Sequence, residues 1–472
     1  MELPYDKTSV DSIKNYGKLL LGKSLILLHP EAKLYKGKGG FGQTVEKYHF
    51  EYQPNSDNEP DFVEAGLELK CVPLKLEKDN SMVPKERLVL NMINYFAEGS
   101  ATYETSSFMK KDKNMLLMFH LTIKGQKKTE DIFKIVRTWS IPEEDAKIFE
   151  DDWNKIHSKI LAGKAEDISE SDSFYLGACT KSKDSSVRRR QPFSLKLAKP
   201  RAYSLKIPYL RYVVIDSLNN HPEDCCGLYL SPTWLASYKR GDDSKIVKSL
   251  DDYRSGETFE GLVKRRFSPY YGMTVGAIAD LFGVAYADND KALAARVCYA
   301  IMKVKKETTA RGETGISEFD KAGVIMKTIR LEENGTLKES MSFPAINYKK
   351  IVGEKWEDSE WHDIVNSKFF FIVLRKKDGL GSSAAILENS FFWSMPSRDL
   401  NVAERFWEDT KEKIRDGVYD RFWKMGDHRL FHVRPHGRDS RDVAETPQGT
   451  YEIKRSCWFN AEYVLDIVKN NG

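Results

Sequence analysis

Short apolar runs separated by polar turns set the pattern of this chain. Residues 66–74 and 88–95 are rich in Val, Leu and Ile and predict an apolar strand hairpin, and residues 115–123 predict a further strand. Residues 139–163 then carry a Pro near the start, early acids and a closing Gly, which predicts a helix entered from a strand. The longest apolar runs, such as 369–374, have the length of strands and are too short to cross a membrane. The pattern predicts an α+β protein.

An internal repeat organises the chain. At an offset of about 254, residues 139–163 align without a gap with residues 393–417, and nine of the 25 positions are identical. Two shorter matches keep the same order at nearly the same offset, and they pair 65–74 with 322–331 and 85–95 with 338–348. Because coincidence would not preserve both order and spacing, the chain is predicted to be a duplication.

The repeat predicts two homologous domains joined by a connector. We assign residues 1–215 to an N-terminal domain, residues 216–256 to the connector and residues 257–472 to a C-terminal domain. Each domain is expected to begin with a helix, continue through apolar strands and reach the helix that follows the Trp-Ser-x-Pro motif.

Composition and charge narrow the class of protein. A hydrophobic fraction of 41% with 17 prolines excludes a collagen-like, mucin-like or wholly disordered chain. The 74 Lys and Arg nearly balance the 70 Asp and Glu, so any affinity for nucleic acid depends on how basic residues cluster. The six cysteines form no CxxC pair, and the N-terminus lacks a basic segment followed by an apolar one. We therefore expect a reduced, cytoplasmic protein with no membrane partner.

One segment carries candidate chemistry. Side chains alternate faces along a strand, so Glu68 and Lys70 point the same way while Leu67 and Leu69 face the core. Asp61, seven residues earlier, can return across a hairpin or bulge to stand beside Glu68. Two carboxylates and a lysine in one place are typical of a Mg²⁺ site that hydrolyses a phosphodiester.

Two further residues extend this candidate site. Glu46 lies in a segment where Phe41, Val45 and Tyr48 recur at helical spacing, so a helix docked on the sheet would bring its carboxylate to the metal. Lys38 lies in a glycine-rich turn eight residues earlier and would reach a phosphate oxygen. The alternative is that a Glu-x-Lys pair on a strand is merely a solvated face.

The repeat favours chemistry in the first half over a solvated face. The lysine persists in the second half, whereas carboxylate positions change, which is expected when one copy catalyses and the other binds. The counterparts are Gly276 for Glu46, which requires a shifted offset, Glu318 for Asp61, Ile325 for Glu68 and Lys327 for Lys70.

The segments 38–46 (KGGFGQTVE), 60–70 (PDFVEAGLELK) and 85–95 (KERLVLNMINY) together resemble the MutH group of nucleases within the PD(D/E)XK superfamily. The resemblance implies two tandem MutH-like, restriction-endonuclease-like domains, the second lacking the catalytic acids and binding DNA as an effector. It also implies a type II restriction endonuclease that makes Mg²⁺-dependent double-strand cuts at a short palindrome, GATC. Carried over by position, the catalytic residues are Glu46, Asp61, Glu68, Lys70 and Lys38, with the three acids as metal ligands.

The same resemblance implies partners. Double-stranded DNA is expected at two sites, a cognate methyltransferase is expected to protect host DNA, and DNA is expected to promote self-association. A mismatch-repair nickase at GATC, a sequence-specific regulator that binds without cutting and, more remotely, an RNA nuclease remain alternatives.

Two basic segments are candidate DNA contacts, because Arg and Lys bond phosphates and base edges. The alternative for each is a solvated loop. Three histidines spaced by four in the second segment, at 428, 432 and 436, are not on a helix and do not favour zinc. The first set comprises Lys181, Lys183, Arg188, Arg189, Arg190 and Lys206, and the second comprises Arg434, His436, Arg438 and Lys454.

Overall fold

The apolar runs of the sequence form strands in the computed structural model of the protein. The structure describes residues 3–37, 39–54, 58–182, 184, 186–236, 241–287, 289–305 and 313–471. The chain divides into two compact units. Unit 1 comprises Met1–Asp252 with Glu307–Gly323, and unit 2 comprises Tyr253–Lys306 with Val324–Gly472.

Unit 1 is a mixed α/β unit. Its helices are α1 (Val10–Gly17), α2 (Leu25–Leu28), α3 (Gly40–Tyr48), α4 (Tyr95–Glu98), α5 (Ser107–Lys111), α6 (Glu143–Leu161), α7 (Ile207–Asn220) and α8 (Pro232–Ala236). Its strands are β1 (Glu68–Leu76), β2 (Met82–Pro84), β3 (Leu88–Met92), β4 (Asn114–Leu121), β5 (Ile132–Ser140), β6 (Leu176–Thr180), β7 (Arg189–Gln191), β8 (Ser194–Ala198) and β9 (Arg201–Leu205).

Unit 2 repeats this composition. Its helices are α9 (Phe259–Phe267), α10 (Val275–Leu281), α11 (Leu293–Met302), α13 (Tyr348–Ile351), α14 (Glu360–Val365), α15 (Ser397–Arg415) and α16 (Ala461–Asn471), while α12 (Ser317–Ala322) belongs to unit 1. Its strands are β10 (Ile325–Leu331), β11 (Met341–Ala345), β12 (Phe369–Arg375), β13 (Ile386–Trp393), β14 (Phe431–Pro435), β15 (Val443–Glu445), β16 (Tyr451–Ile453) and β17 (Arg455–Phe459).

The central sheet of unit 1 has the strand order β2-β1-β4-β5. Strand β1 pairs with β4 in parallel, with Glu68 opposite Met115, and β4 pairs with β5 in an antiparallel register. Strand β4 is buried along nearly its whole length, because it lies between two neighbours and under packed helices. A parallel pair at the centre of the sheet therefore supports the start of β1.

The predicted hairpin of 66–74 with 88–95 is wrong. Strand β1 turns into the short β2, and β3 pairs with β9 in a second sheet of order β3-β9-β6. The runs are strands as predicted, but their partners lie elsewhere in the chain. Apolar patterning identifies a strand without specifying its neighbour.

The repeat is visible in the fold. Strand β10 pairs with β12 in parallel, with Ile325 opposite Phe369, in the same register as Glu68 and Met115 in unit 1. Helices α6 and α15 each span 19 residues and each follow a strand and a proline. Gly163 and Gly417, which follow these helices, have φ of 65° and 74°, a left-handed conformation that glycine adopts at low cost.

The units divide differently from the predicted domains. The boundary at residue 215 falls inside α7, and the connector 216–256 lies mostly in unit 1. Helix α12 also belongs to unit 1, because the buried carboxylate of Glu318 accepts the backbone N–H groups of Ile246 and Val247 at 3.0 and 2.8 Å. Across the described ranges, no helix is both long and apolar enough to span a bilayer.

Candidate active site

A tight turn brings Asp61 to the start of β1. Phe62 and Leu67 exchange backbone hydrogen bonds of 2.9 and 3.2 Å, and Gly66 closes the turn with a φ of 61°. Residues with a β-carbon avoid this left-handed region, so glycine relieves the turn of strain. The predicted return of Asp61 across a hairpin is the geometry observed.

Asp61 and Glu68 hold each other through backbone groups. The N–H of Asp61 donates to Oε2 of Glu68 at 3.0 Å, and the N–H of Leu69 donates to Oδ2 of Asp61 at 2.9 Å. Glu68 is 3% exposed, while Leu67 and Leu69 are buried in the core on the other face. The alternation predicted for β1 therefore fits, and each acid keeps one carboxylate oxygen out of these two backbone bonds.

Lys70 lies among carboxylates rather than in solvent. Its ammonium donates to Oε1 of Glu68 at 2.5 Å and lies 3.4 Å from Oδ1 of Asp112. Burial alone lowers the pKa of Lys70, but the charges of Asp112 and Glu68 raise it further, and the net pKa lies above the usual value. Lys70 is therefore a fixed positive charge at neutral pH, which a solvated strand face would not provide.

Helix α3 supplies Glu46. Phe41 and Val45 are buried on the core side of the helix. The Thr44 hydroxyl donates to the Gly40 carbonyl at 2.6 Å and accepts the Tyr35 N–H at 3.1 Å, which ties the first turn to the preceding loop. The helix thus directs Glu46 toward β1, where the charge of Glu68 acts on it. Lys38 lies outside the described residues.

The three acids repel one another. Burial and then the charge of Glu68 raise the pKa of Glu46 to about 7. Burial, followed by the charges of Glu68 and Glu46, raises the pKa of Asp61 to about 8. Carboxyl groups with raised pKa values beside a charged lysine are typical of functional sites. Full ionisation of these acids is therefore unfavourable unless a further cation neutralises them.

Two charged residues of this site were missed in the sequence. Lys111 lies at the end of α5, with its ammonium 3.9 Å from Oε2 of Glu68, and Asp112 follows it. They precede β4 and reach the site because β4 is the parallel partner of β1. The internal repeat was the signal that could have found them. At the offset of 254, the uncharged Val365 and Asn366 stand at the positions of Lys111 and Asp112, so these charges occur in the first repeat and not in the second.

The donor set fits a hard divalent cation. Glu46, Asp61 and Glu68 offer carboxylate oxygens, and Mg²⁺ takes one or two carboxylates and keeps several waters. Their ligand atoms do not all lie within 4.8 Å of one another. Among the described residues, the one triplet that does is His221, Glu223 and Asp224. Asp224 already has two lysine partners, at 2.7 and 2.5 Å.

Strand β10 of unit 2, which corresponds to β1, lacks the carboxylate of Glu68. Ile325 stands at the position of Glu68, and the Lys327 ammonium donates to the Ser342 carbonyl at 3.0 Å. Burial lowers the pKa of Lys327, the opposite of the shift at Lys70. The lysine of unit 2 that corresponds to Lys70 is therefore in an apolar setting.

The pairing of Gly276 with Glu46 is wrong. Ser24 before α2 bridges Ile132 at the start of β5, and Thr274 before α10 bridges Ile386 at the start of β13, so α10 corresponds to α2. Helix α11 then corresponds to α3, and its ten residues include no acid. Glu318 is held in unit 1 by backbone N–H groups, as described above.

The basic residues of the first half are exposed at a hairpin. Lys181 is exposed at the end of β6, and Arg188, Arg189 and Arg190 are exposed at the start of the β7–β8 hairpin. Lys206 differs, because it is half-buried and donates to the Ser173 carbonyl. Lys183 lies outside the described residues.

Two of the second-half residues contact Trp458. The guanidinium of Arg434 lies 3.8 Å from the centroid of the Trp458 ring, and exposed His436 bonds Ser456 at 3.0 Å. Arg438 is exposed, and Lys454 pairs with Asp442 at 2.5 Å. The other two histidines have separate partners, since His428 stacks on Trp423 and His432 bonds Asn460.

Comparison with known proteins agrees with this fold and site. The model of the MutH family, described as DNA mismatch repair enzyme MutH, matches residues 50–152 and again residues 310–405. The two matches cover β1, β4 and β5 in unit 1 and β10, β12 and β13 in unit 2. The class defined here is therefore a MutH-like protein with two copies of the domain.

A full-length relative identifies the family. The chain is 31% identical over 508 aligned residues to the type II restriction enzyme Sau3AI of Staphylococcus aureus, covering 97% of this chain and 98% of that one. It belongs to the family of that restriction enzyme. The DNA mismatch repair protein MutH of Shewanella woodyi is 24% identical over 45% of this chain and 94% of its own length. MutH of Vibrio campbellii is 27% identical over 29% of this chain and 58% of its own.

Proposed function

We propose that the chain is a type II restriction endonuclease that cuts both strands of DNA at GATC with Mg²⁺, using the site at the start of β1. The observation that carries the proposal is the convergence of Glu46, Asp61 and Glu68 beside the charged Lys70. GATC comes from the sequence resemblance and from membership of the Sau3AI family. A cognate methyltransferase protecting the same sequence belongs to the proposal.

The acids and the lysine of the site have separate roles in the proposed reaction. Glu46, Asp61 and Glu68 would hold Mg²⁺, which when bound activates water and neutralises charge on the scissile phosphate. The Lys70 ammonium donates to the attacking water or to a phosphate oxygen, where negative charge grows in the transition state. The bonds from the Asp61 and Leu69 N–H groups fix both acids before DNA arrives. The site is thus oriented in advance of the reaction.

Unit 2 is proposed to bind a second copy of the DNA sequence without cutting it. Its strand β10 carries Ile325 where an acid is needed, and α11 carries no acid. Its exposed basic residues, with Arg434 stacked on Trp458, offer contacts to phosphates and base edges. DNA-induced self-association would follow if each molecule engages two sites.

The test is cleavage of a plasmid with known GATC sites, in Mg²⁺ or EDTA. Wild type should give discrete fragments ending at GATC, and Glu68→Gln should give none. Glu64→Gln is the matched control, because Glu64 lies four residues away in the same turn and pairs with Lys7 at the surface. Fragments from Glu68→Gln, or no cleavage in Mg²⁺ by wild type, would contradict the proposal.

The same assay separates the alternatives. Nicked circles without linear product would indicate a mismatch-repair type of nickase, and specific retention of intact DNA would indicate a binding protein. Plasmid methylated within GATC tests protection. For the second unit, Lys327→Ala is the counterpart of Lys70→Ala. Since Lys327 is bonded to a carbonyl within the fold, only the Lys70 variant should lose cleavage.

A further inference from the structure

The Lys70 ammonium has two carboxylate neighbours of different kinds. Glu68 is two residues away on the same strand, and its Oε1 lies 2.5 Å from Nζ. Asp112 comes from a separate part of the chain, and its Oδ1 lies 3.4 Å from Nζ. The side chain of Asp112 is fully buried, and that of Lys70 is 15% exposed. A buried carboxylate is costly without a cation, so this pair is a built feature of the interior.

Asp112 is fixed by the backbone of neighbouring elements. Its Oδ2 accepts the N–H of Asn91 on β3 at 3.1 Å. Its own N–H donates to the Phe108 carbonyl at 2.8 Å, which closes the end of α5. Two residues later the chain enters β4, the parallel partner of β1. The Asp112 carboxylate is therefore fixed in position, and its contact with Lys70 holds the lysine side chain at a defined place.

Glu68 makes other interactions, so it is not a dedicated partner of the Lys70 ammonium. It accepts the N–H of Asp61 and belongs to the acids proposed to bind Mg²⁺. Asp112 makes neither of these interactions. Its Oδ2 accepts the Asn91 N–H and its Oδ1 lies 3.4 Å from the Lys70 ammonium, so its contact with the lysine does not compete with metal binding.

The second unit provides an internal comparison. Met115 and Phe369 occupy the same register position, and three residues before them stand Asp112 and Asn366. Where Asp112 has become Asn366, the retained Lys327 bonds a backbone carbonyl instead. Unit 2 thus keeps a lysine at the position of Lys70 but has an amide, Asn366, at the position of Asp112. The acid is therefore associated with the proposed catalytic role of the lysine and is not required by the fold.

We propose that Asp112 is a positioning residue for cleavage, whose buried carboxylate holds the Lys70 ammonium in place for the reacting phosphate. Asp112 does not itself touch DNA or metal. The inference rests on the proposed catalytic role of Lys70, and it adds a residue that the acids and lysine of the motif do not include.

The experiment measures single-turnover cleavage and DNA affinity for Asp112→Asn, which keeps the shape and removes the charge. We expect the cleavage rate to fall about 10- to 100-fold, because a misplaced catalytic group costs that much. KM, and DNA affinity in EDTA, should change less than twofold. The matched control is Asp145→Asn, an equally buried aspartate with its own lysine partner, Lys321, at 2.9 Å. The control should cleave at the wild-type rate.

A double-mutant cycle separates this inference from the proposed function. In the Lys70→Ala background, Asp112→Asn should lower the residual rate less than twofold, because there is no ammonium left to hold. An equal fall in both backgrounds would overturn the inference, as would wild-type cleavage by Asp112→Asn beside an impaired Lys70→Ala. Wild-type cleavage by Lys70→Ala would instead overturn the proposed function.

Stability gives an independent measure if Asp112→Asn folds poorly. Lys70→Ala leaves the buried Asp112 carboxylate without its cation, so the urea midpoint of unit 1 should fall. Adding Asp112→Asn should raise that midpoint again, with no need for activity or metal. A further fall in the double variant would mean that Asp112 supports the fold independently of Lys70, and the inference would fail.

Discussion

Glu46→Gln should stabilise the metal-free protein at pH 8 while abolishing cleavage. Glutamine keeps the shape of the side chain and removes its charge. In the folded state the pKa of Glu46 is raised to about 7 by burial and by the charge of Glu68, from an ordinary value of 4.5. Between these pH values the folded state binds more protons than the unfolded state, so stability falls as pH rises through this window.

The magnitude follows from the shift. Each unit of pKa is worth about 1.4 kcal/mol, so the full shift corresponds to about 3 kcal/mol of destabilisation once Glu46 is ionised. Glu46 is half-buried, and solvent screens part of this repulsion. We therefore expect Glu46→Gln to raise the free energy of unfolding of unit 1 by about 1–2 kcal/mol at pH 8 and by almost nothing at pH 4.

The assay is urea unfolding in EDTA at both pH values. Because two units can unfold separately, hydrogen exchange of peptides from β1 assigns the transition to unit 1. Glu64→Gln is the control, since its pair with Lys7 lowers the pKa of Glu64 and its charge is not repelled. Added Mg²⁺ should stabilise wild type more than Glu46→Gln. A Glu46→Gln variant less stable than wild type at pH 8 would refute the reasoning.

Three further predictions concern the turn, a buried histidine and the basic hairpin. Gly66→Ala should cost about 1 kcal/mol of stability and slow cleavage, because alanine disfavours a φ of 61°; unchanged unfolding and cleavage would contradict this. Burial lowers the pKa of His49 to about 4, so the unfolded state binds more protons below pH 6.5. The contribution of His49 to wild-type stability should therefore fall by on the order of 3 kcal/mol as pH falls from 6.5 to 4, and urea unfolding of His49→Gln should show a pH dependence without this loss. The double variant Arg189→Ala/Arg190→Ala should weaken DNA binding and flatten its salt dependence in fluorescence anisotropy titrations, and an unchanged slope would place these exposed residues outside the interface.

The part of the site that is local in sequence was predictable. Asp61, Glu68 and Lys70 lie within ten residues, and strand alternation plus one tight turn is enough to gather them. Asp112 was not predictable in this way, since it reaches Lys70 only through the parallel pairing of β1 with β4. A parallel partner lies far along the chain, and no local pattern names it.

The wrong strand hairpin and the wrong helix pairing also came from inferring spatial partners from nearness or similarity in the sequence. The strands 66–74 and 88–95 follow one another in the sequence, which suggested a hairpin, but the partner of β3 is β9. The Thr-Val match between residues 44–45 and 274–275 suggested equivalent helices, but the bridges to Ile132 and Ile386 align α10 with α2. Helix α12 lies within the second family match, 310–405, as its place in the repeat predicts, while its buried Glu318 accepts backbone N–H groups of unit 1.

The duplication separates what the fold requires from what the chemistry requires. Strand register, the 19-residue helix and the glycine after it are kept in both units, so these features belong to the fold. The buried charges are not kept. Lys70 and Lys327 share one strand position, yet carboxylates raise the pKa of the first and burial lowers that of the second. Buried acids that repel one another reduce stability, so their presence at the start of β1 has a reason other than the fold. Strand β10 and helix α11 carry no acid, which supports the proposal that cleavage takes place in unit 1.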